Sequence, residues 1–266
     1  MSDLIDSRRS GSGSPLVLLH GLNGSWRVWD PVFDALAAHH DVFAATMAAH
    51  RGAPAVAAGP CGIGPLADEM EARLTAAGIE RAHLVGNSLG GWLALELAAR
   101  GRATSVVAFA PAGCWTKPGD LARVGRLLKI GRRAGMNPTV QRMLARPNTR
   151  RSVFRAVMER ADLIPADDLA ALLADLAACQ LLPGLLASLR ITGPVARLEV
   201  DAPVRLAWPV KDRTIPFERY GRPWLAVLPK AELVRLRGVG HMPMYDDPGL
   251  VVRTVREFTA KVDAAA

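Results

Sequence analysis

The sequence predicts an α/β fold: a mostly parallel, twisted sheet flanked by helices, with one all-helical insertion. Three observations carry this expectation. Short apolar runs alternate with helical stretches through residues 1–113, the rhythm of βα units. Residues 114–196 then show helical patterns and no convincing strand. Strand rhythm resumes within residues 197–266, which close on an amphipathic helix. The predicted organisation is a core from 1–113 and 197–266 with 114–196 set into it. A chain of 266 residues is long enough to bury one sizeable core.

Taken in order, Pro15 to Leu19 is a strand buried on both faces. A helix follows, with Trp26, Trp29, Val32, Phe33 and Leu36 at helical spacing. Asp41 to Thr46 suits a second strand, and a Gly/Pro/Ala-rich loop runs on to Pro65. Leu66 to Gly78 reads as a helix capped by Gly78. His83 to Gly86 is a third strand, Leu89 to Arg100 a helix, and Thr104 to Phe109 a fourth strand. In the insertion Leu121, Val124, Leu127 and Leu128 share one helix face, from which Arg123, Arg126, Lys129 and Arg133 fall away. Leu169 to Leu189 is apolar but is broken by Asp175, Gln180 and Pro183, so it reads as buried or capping helices. Val204 to Ala207 and Glu232 to Leu236 are further strands, and Pro248 to about Val262 is the closing helix.

Hydrophobic residues at 50% and charged residues at 22% are globular proportions and exclude a disordered chain. Cys61, Cys114 and Cys179 fit neither a disulfide framework nor a zinc site, and suggest a reducing compartment. The amino-terminal stretch has no signal-like apolar run, and no segment approaches the roughly 18 apolar residues of a membrane span. The expectation is a cytoplasmic protein without a membrane span. The formal charge of +8 is concentrated in the insertion, where Lys117 to Asp162 holds twelve Lys and Arg against three acidic residues. Solvated helix faces account for this block. No nucleic-acid partner is expected, since aromatic and glycine interleaving is missing. An anionic group on a small substrate is a further expectation it raises.

The most informative stretch is Leu84-Val85-Gly86-Asn87-Ser88-Leu89-Gly90-Gly91, a G-x-S-x-G pattern between an apolar strand and a helix. An abrupt strand-to-helix turn exposes a strained serine, and side chains at 86 and 90 would crowd it. Ser88 is therefore the expected nucleophile, and a serine hydroxyl needs a positioned base. His241, in Gly238-Val239-Gly240-His241-Met242-Pro243 after the last strand, fits the order Ser…Asp/Glu…His. His39 and His40 fall at a helix end, and His83 reads as a packing or surface residue within a strand. Asp212 follows the Val204–Ala207 strand and is the expected acid, fixing the imidazole tautomer. Asp201 precedes that strand and is a weak rival; Asp247, before Pro248, looks like a helix cap, and Asp246 is its neighbour. The turn His20-Gly21-Leu22-Asn23-Gly24 suits an oxyanion hole, nominating the amides of Leu22 and Leu89, with Asn23 the alternative to Leu22. His20 braces this loop.

With these pieces assembled, the chain resembles the α/β-hydrolase superfamily over nearly its whole length, and most of all its small capped esterase-like members of actinobacterial type. The landmarks are the His20-Gly21 turn, GNSLGG at 86–91, W-x-x-x-D-x-x-x-P at 208–216 and GVGHMP at 238–243. The resemblance implies that residues 114–196 form a helical cap between strands 6 and 7 of that fold. Three departures stand out. Too few residues precede the first buried strand for a full leading pair of antiparallel strands, so that edge is expected to be short. Trp208-Pro209 stands where relatives often carry Trp-Gly. The loop Met47 to Gly52 lacks the usual Gly before His50, which reads as a structural residue.

The expected activity is acyl transfer from a small or medium apolar carboxylic ester or thioester to water, without metal or organic cofactor. Trp115, Met136 and Met143 are expected as apolar walls of the substrate pocket. Epoxide hydrolases and haloalkane dehalogenases of the family use a carboxylate nucleophile, whereas position 88 is Ser. A carbon–carbon bond hydrolase of the meta-cleavage type is the enzymatic alternative, and a ligand-binding module the non-enzymatic one.

Overall fold

The computed structural model describes residues 6–56 and 59–265. Residues 57–58 of the predicted Gly/Pro/Ala-rich loop and 1–5 of the amino-terminal stretch lie outside the described residues. The strands are β1 (Ser7–Ser10), β2 (Ser14–Leu19), β3 (His40–Ala45), β4 (Ala82–Asn87), β5 (Ala103–Phe109), β6 (Val204–Pro209) and β7 (Glu232–Leu236). They form one sheet in the order β1-β3-β2-β4-β5-β6-β7, in which only the β1–β3 pair is antiparallel. The short β1 is the abbreviated edge that the sequence implies.

The continuous apolar runs have a simple cause. Successive strand residues point to opposite faces, and here both faces are covered. Val17, Leu19, Leu84, Val106 and Leu206 enter one buried cluster, while Leu16, Leu18, Val85, Val107 and Ala207 enter the other. The covering helices of the core are α1 (Asp30–Ala37), α2 (Ile63–Ala76), α3 (Leu89–Ala99) and, at the carboxyl end, α12 (Pro248–Asp263). Nine of the eleven residues of α3 are buried, so this helix has no broad polar face; it packs on β4 and β5 and is covered by α2. Two sequence expectations shift. α2 begins at Ile63 because Pro65 sits in its first turn, where an amide would lack a partner anyway. His40 opens β3 rather than ending a helix, and is buried against His83, Ser14 and Thr259.

Between β5 and β6 the described chain forms α4 (Pro118–Gly135), α5 (Pro138–Leu144), α6 (Pro147–Val153), α7 (Ala166–Ala178) and α8 (Leu181–Thr192). Each of α4, α5 and α6 starts on a proline, and Pro138 and Pro147 also stand just past the ends of α4 and α5, which they cannot continue. Among the described residues no single helix is long and apolar enough to cross a membrane; α7 and α8 together are apolar enough but bend by 56°. Three short helices, α9 (Phe217–Tyr220), α10 (Arg222–Val227) and α11 (Pro243–Asp246), complete the chain.

Candidate active site

The strand order places the carboxyl ends of β2, β4, β6 and β7 at one edge of the sheet, where open α/β sheets assemble their sites. β4 turns into α3 at Ser88 with φ 55° and ψ −115°, a conformation that strains any side chain. Three hydrogen bonds hold it there. The Ser88 amide donates to Phe109 O at 2.9 Å, and its carbonyl accepts from Ala112 and Trp92 at 2.9 and 3.1 Å. A Cβ on Gly86 would stand 2.1 Å from Gly90 O, and one on Gly90 would stand 2.1 Å from Leu19 O. Glycine is therefore obligatory at both positions.

His241 and Asp212 meet beside this turn. His241 Nδ1 donates to Asp212 Oδ2 at 2.7 Å, and both side chains are buried. Asp212 Oδ1 accepts from the amides of Thr214 and Ile215 at 2.9 and 2.8 Å, which leaves Oδ2 for the imidazole. The rival carboxylates are committed elsewhere. Asp246 accepts from the amides of Gly240, Glu159 and Arg160, and Asp247 caps α12 at the Leu250 amide. Asp201 is exposed. Ser88 and His241 face the same cavity, and the hydroxyl makes no hydrogen bond to the imidazole, a link that often tightens only with substrate.

The loop after β2 folds back through Gly24 N to Gly21 O at 3.1 Å. His20 bridges it to the next loop: its Nδ1 lies 2.7 Å from Gly21 O, and its Nε2 accepts from the Met47 amide at 2.9 Å. Asn23 has φ 69°, and its amide donates to His50 Nε2 at 3.3 Å, on the side of the buried Cys179 thiol. Burial opposes ionisation of that thiol, but His50 and the amides of Leu181 and Asn23 outweigh it and lower its pKa. The Asn23 amide is thus taken. The amides of Leu22 and Leu89 donate to no described residue, and both residues line the cavity with Ser88.

His50 is structural, as the sequence suggested, but what it holds is this loop. Ala49 before it has φ +61°, the conformation that glycine adopts without strain. Ala49→Gly is expected to raise stability by up to about 1 kcal/mol, strain relief exceeding the entropy of the added glycine. Urea unfolding measures it. His20 carries a second expectation. Burial first, and then neighbouring His50, hold its pKa well below 6.5, so the folded state binds fewer protons than the unfolded chain. That stability is complete above about pH 6.5 and is lost as the pH falls toward the folded value. The thermal midpoint should drop between about pH 7 and about pH 5, and drop less in His20→Gln.

The cavity has a volume of about 370 Å³ and is walled mainly by the insertion. Leu121, Val124, Leu127 and Leu128 line it from α4, as do Leu172, Leu173 and Leu176 from α7 and Leu182, Leu185 and Leu186 from α8. Trp115 lines it too. Met136 and Met143 do not: they are 48% and 52% exposed on the outer surface. Met136 falls just past the end of α4, and α5 turns Val140 and Leu144 inward, which rotates Met143 out. The anionic substrate group expected from the basic insertion finds no free cation here among the described residues. Arg132 reaches the wall, but its guanidinium donates to the carbonyls of Cys179 and Ala177 at the end of α7.

Three contributors escape a reading of the sequence. Asn87, the variable residue of the serine pattern, donates to His241 O at 2.9 Å and so holds the base loop. Asp175 of α7 is buried, accepts from Ser25 at 2.5 Å and pairs with Arg51, tying the insertion to the two loops beside the Leu22 amide. Asp246 joins the base loop to residues 159–160. Only Asn87 had a local signal, its place beside the nucleophile; the other two act across long stretches of chain.

Comparison with known proteins bears on this arrangement. Residues 16–254 match the model of the alpha/beta hydrolase family. Epoxide hydrolase EphH of Mycobacterium tuberculosis is 34% identical over 203 residues, which cover 73% of this chain and 92% of that protein. Among solved structures, the esterase RhEst1 from Rhodococcus sp. ECU1013 superposes with a TM-score of 0.72 at 22% identity, covering 96% and 94% of the two chains. The enol-lactonase from Burkholderia xenovorans LB400 gives 0.71 at 20% identity, covering 96% and 95%. A buried Asp212–His241 pair and a strained serine at the carboxyl edge of this sheet, with a family match across nearly the whole chain, lead to one conclusion: the protein is a hydrolase of the α/β-hydrolase family.

Proposed function

We propose that this hydrolase is a serine esterase acting on uncharged carboxylic esters or thioesters with a sizeable apolar group. The observation that carries the reading is the meeting of Ser88, His241 and two undonated amides in a cavity whose walls are mainly apolar. His241 Nε2 takes the Ser88 proton as Oγ attacks the carbonyl, and the amides of Leu22 and Leu89 receive the oxyanion. The tetrahedral adduct collapses to an acyl-serine as His241 protonates the departing alcohol or thiol. Water, deprotonated by His241, then releases the acid and restores the serine.

The relative named as an epoxide hydrolase does not carry its chemistry across to this chain, because position 88 bears a hydroxyl and no carboxylate. Steady-state assay of nitrophenyl esters of increasing acyl length tests the reading. Each methylene entering the cavity contributes about 0.8 kcal/mol, so kcat/KM should rise up to about fourfold per methylene until the cavity fills. Turnover of an epoxide or a vinylogous 1,5-diketone without turnover of any ester would sink the proposal. So would ligand binding without turnover.

A further inference from the structure

The cations of the insertion are its unexplained feature. Arg126, Lys129 and Arg133 on α4, Arg142 on α5, and Arg146, Arg151 and Arg155 around α6 are all exposed. The three carboxylates in this stretch are engaged by other cations: Asp120 by Arg219, Glu159 by Lys211 and Arg213, and Asp162 by Arg160. The same helices and their ends carry large apolar side chains in water. Ile130 is 57% exposed and Val153 44%, beside Met136 and Met143. Ile130 and Val153 also line the cavity, so its mouth opens among these residues. A second hollow of about 270 Å³, beside Val153, is lined by Arg151, Ser152, Arg155 and the engaged Glu159.

We propose that the outer face of α4, α5 and α6 is a docking surface for an anionic phospholipid bilayer. Unpaired arginines seek the headgroup charge, and aliphatic side chains standing between them enter the headgroup–acyl boundary. A nucleic acid would satisfy the charge, but it gives Ile130, Met136, Met143 and Val153 no apolar partner. Docked this way, the protein presents the mouth of an apolar cavity to the layer in which apolar esters dissolve. Docking stands without the esterase reading; only the delivery of substrate rests on it.

The test is co-sedimentation of the full chain with phosphatidylcholine vesicles, with and without phosphatidylglycerol. Binding is expected only with phosphatidylglycerol, and should weaken as salt is raised. Reversal of four charges (Arg126→Glu, Arg133→Glu, Arg146→Glu and Arg151→Glu together) should lower vesicle affinity by at least about a hundredfold. Met136→Asn with Met143→Asn should weaken it several-fold. Both variants should keep the parent's turnover of a short soluble ester, since these residues lie outside the cavity. Ser88→Ala should bind vesicles like the parent, so docking without ester turnover would support the surface while removing the esterase reading. The proposal is overturned by equal binding to neutral vesicles, by no binding at low salt, or by undiminished binding of the charge-reversed protein. Retention on a DNA fragment without vesicle binding would also overturn it.

Discussion

Ser88→Ala should lower ester kcat by about 10⁴- to 10⁶-fold while leaving the fold and substrate affinity in place. Alanine keeps the Cβ that φ 55° strains, so the substitution neither relieves the turn nor opens a hole in the core. What disappears is the hydroxyl that shares the cavity with His241 at the strained turn. Fluorophosphonate labelling gives an independent reading: the parent should carry its adduct on the peptide containing Ser88, and the variant should carry none. A variant that retained turnover, or an adduct mapped to another serine, would refute the role assigned here.

Asp212→Asn should cost about 10⁴-fold in kcat with little change in KM. The reason is specific to this loop. The Thr214 and Ile215 amides demand an acceptor at the Oδ1 position, so the carboxamide must place its oxygen there and turn its NH₂ toward His241. Nδ1 must then accept, the proton moves to Nε2, and the imidazole faces Ser88 as a donor that cannot act as base. A pH–rate profile that loses amplitude at every pH marks this inverted tautomer. A loss confined to KM would contradict it.

The features legible in the sequence are those that local physics dictates. The strand Glu232–Leu236 is legible residue for residue, and the Gly86 and Gly90 requirement follows from the crowding of one turn. Gly78 at φ +72° ends α2 as its type suggests. What is not legible is what a neighbour distant in sequence decides. A methionine on a short helix could face either way, and only the packing of α5 over the cavity turns Val140 and Leu144 inward in place of Met143. The basic insertion was legible as charge, but not as charge kept outside the cavity. Its inward-reaching cations close backbone carbonyls: Arg132 at the end of α7, Arg123 at Arg213 and Thr214, Arg150 at Leu144 and Ile164.

The three amides gathered on Asp246 have a mechanical meaning. Two belong to the insertion, at Glu159 and Arg160, and the third is Gly240, next to His241. Met242 N on Val157 O at 3.0 Å repeats the link on the other side of His241. The insertion and the imidazole therefore share one degree of freedom at this point. Any displacement of residues 157–160 would therefore be felt directly at the His241 loop, from both sides of the imidazole.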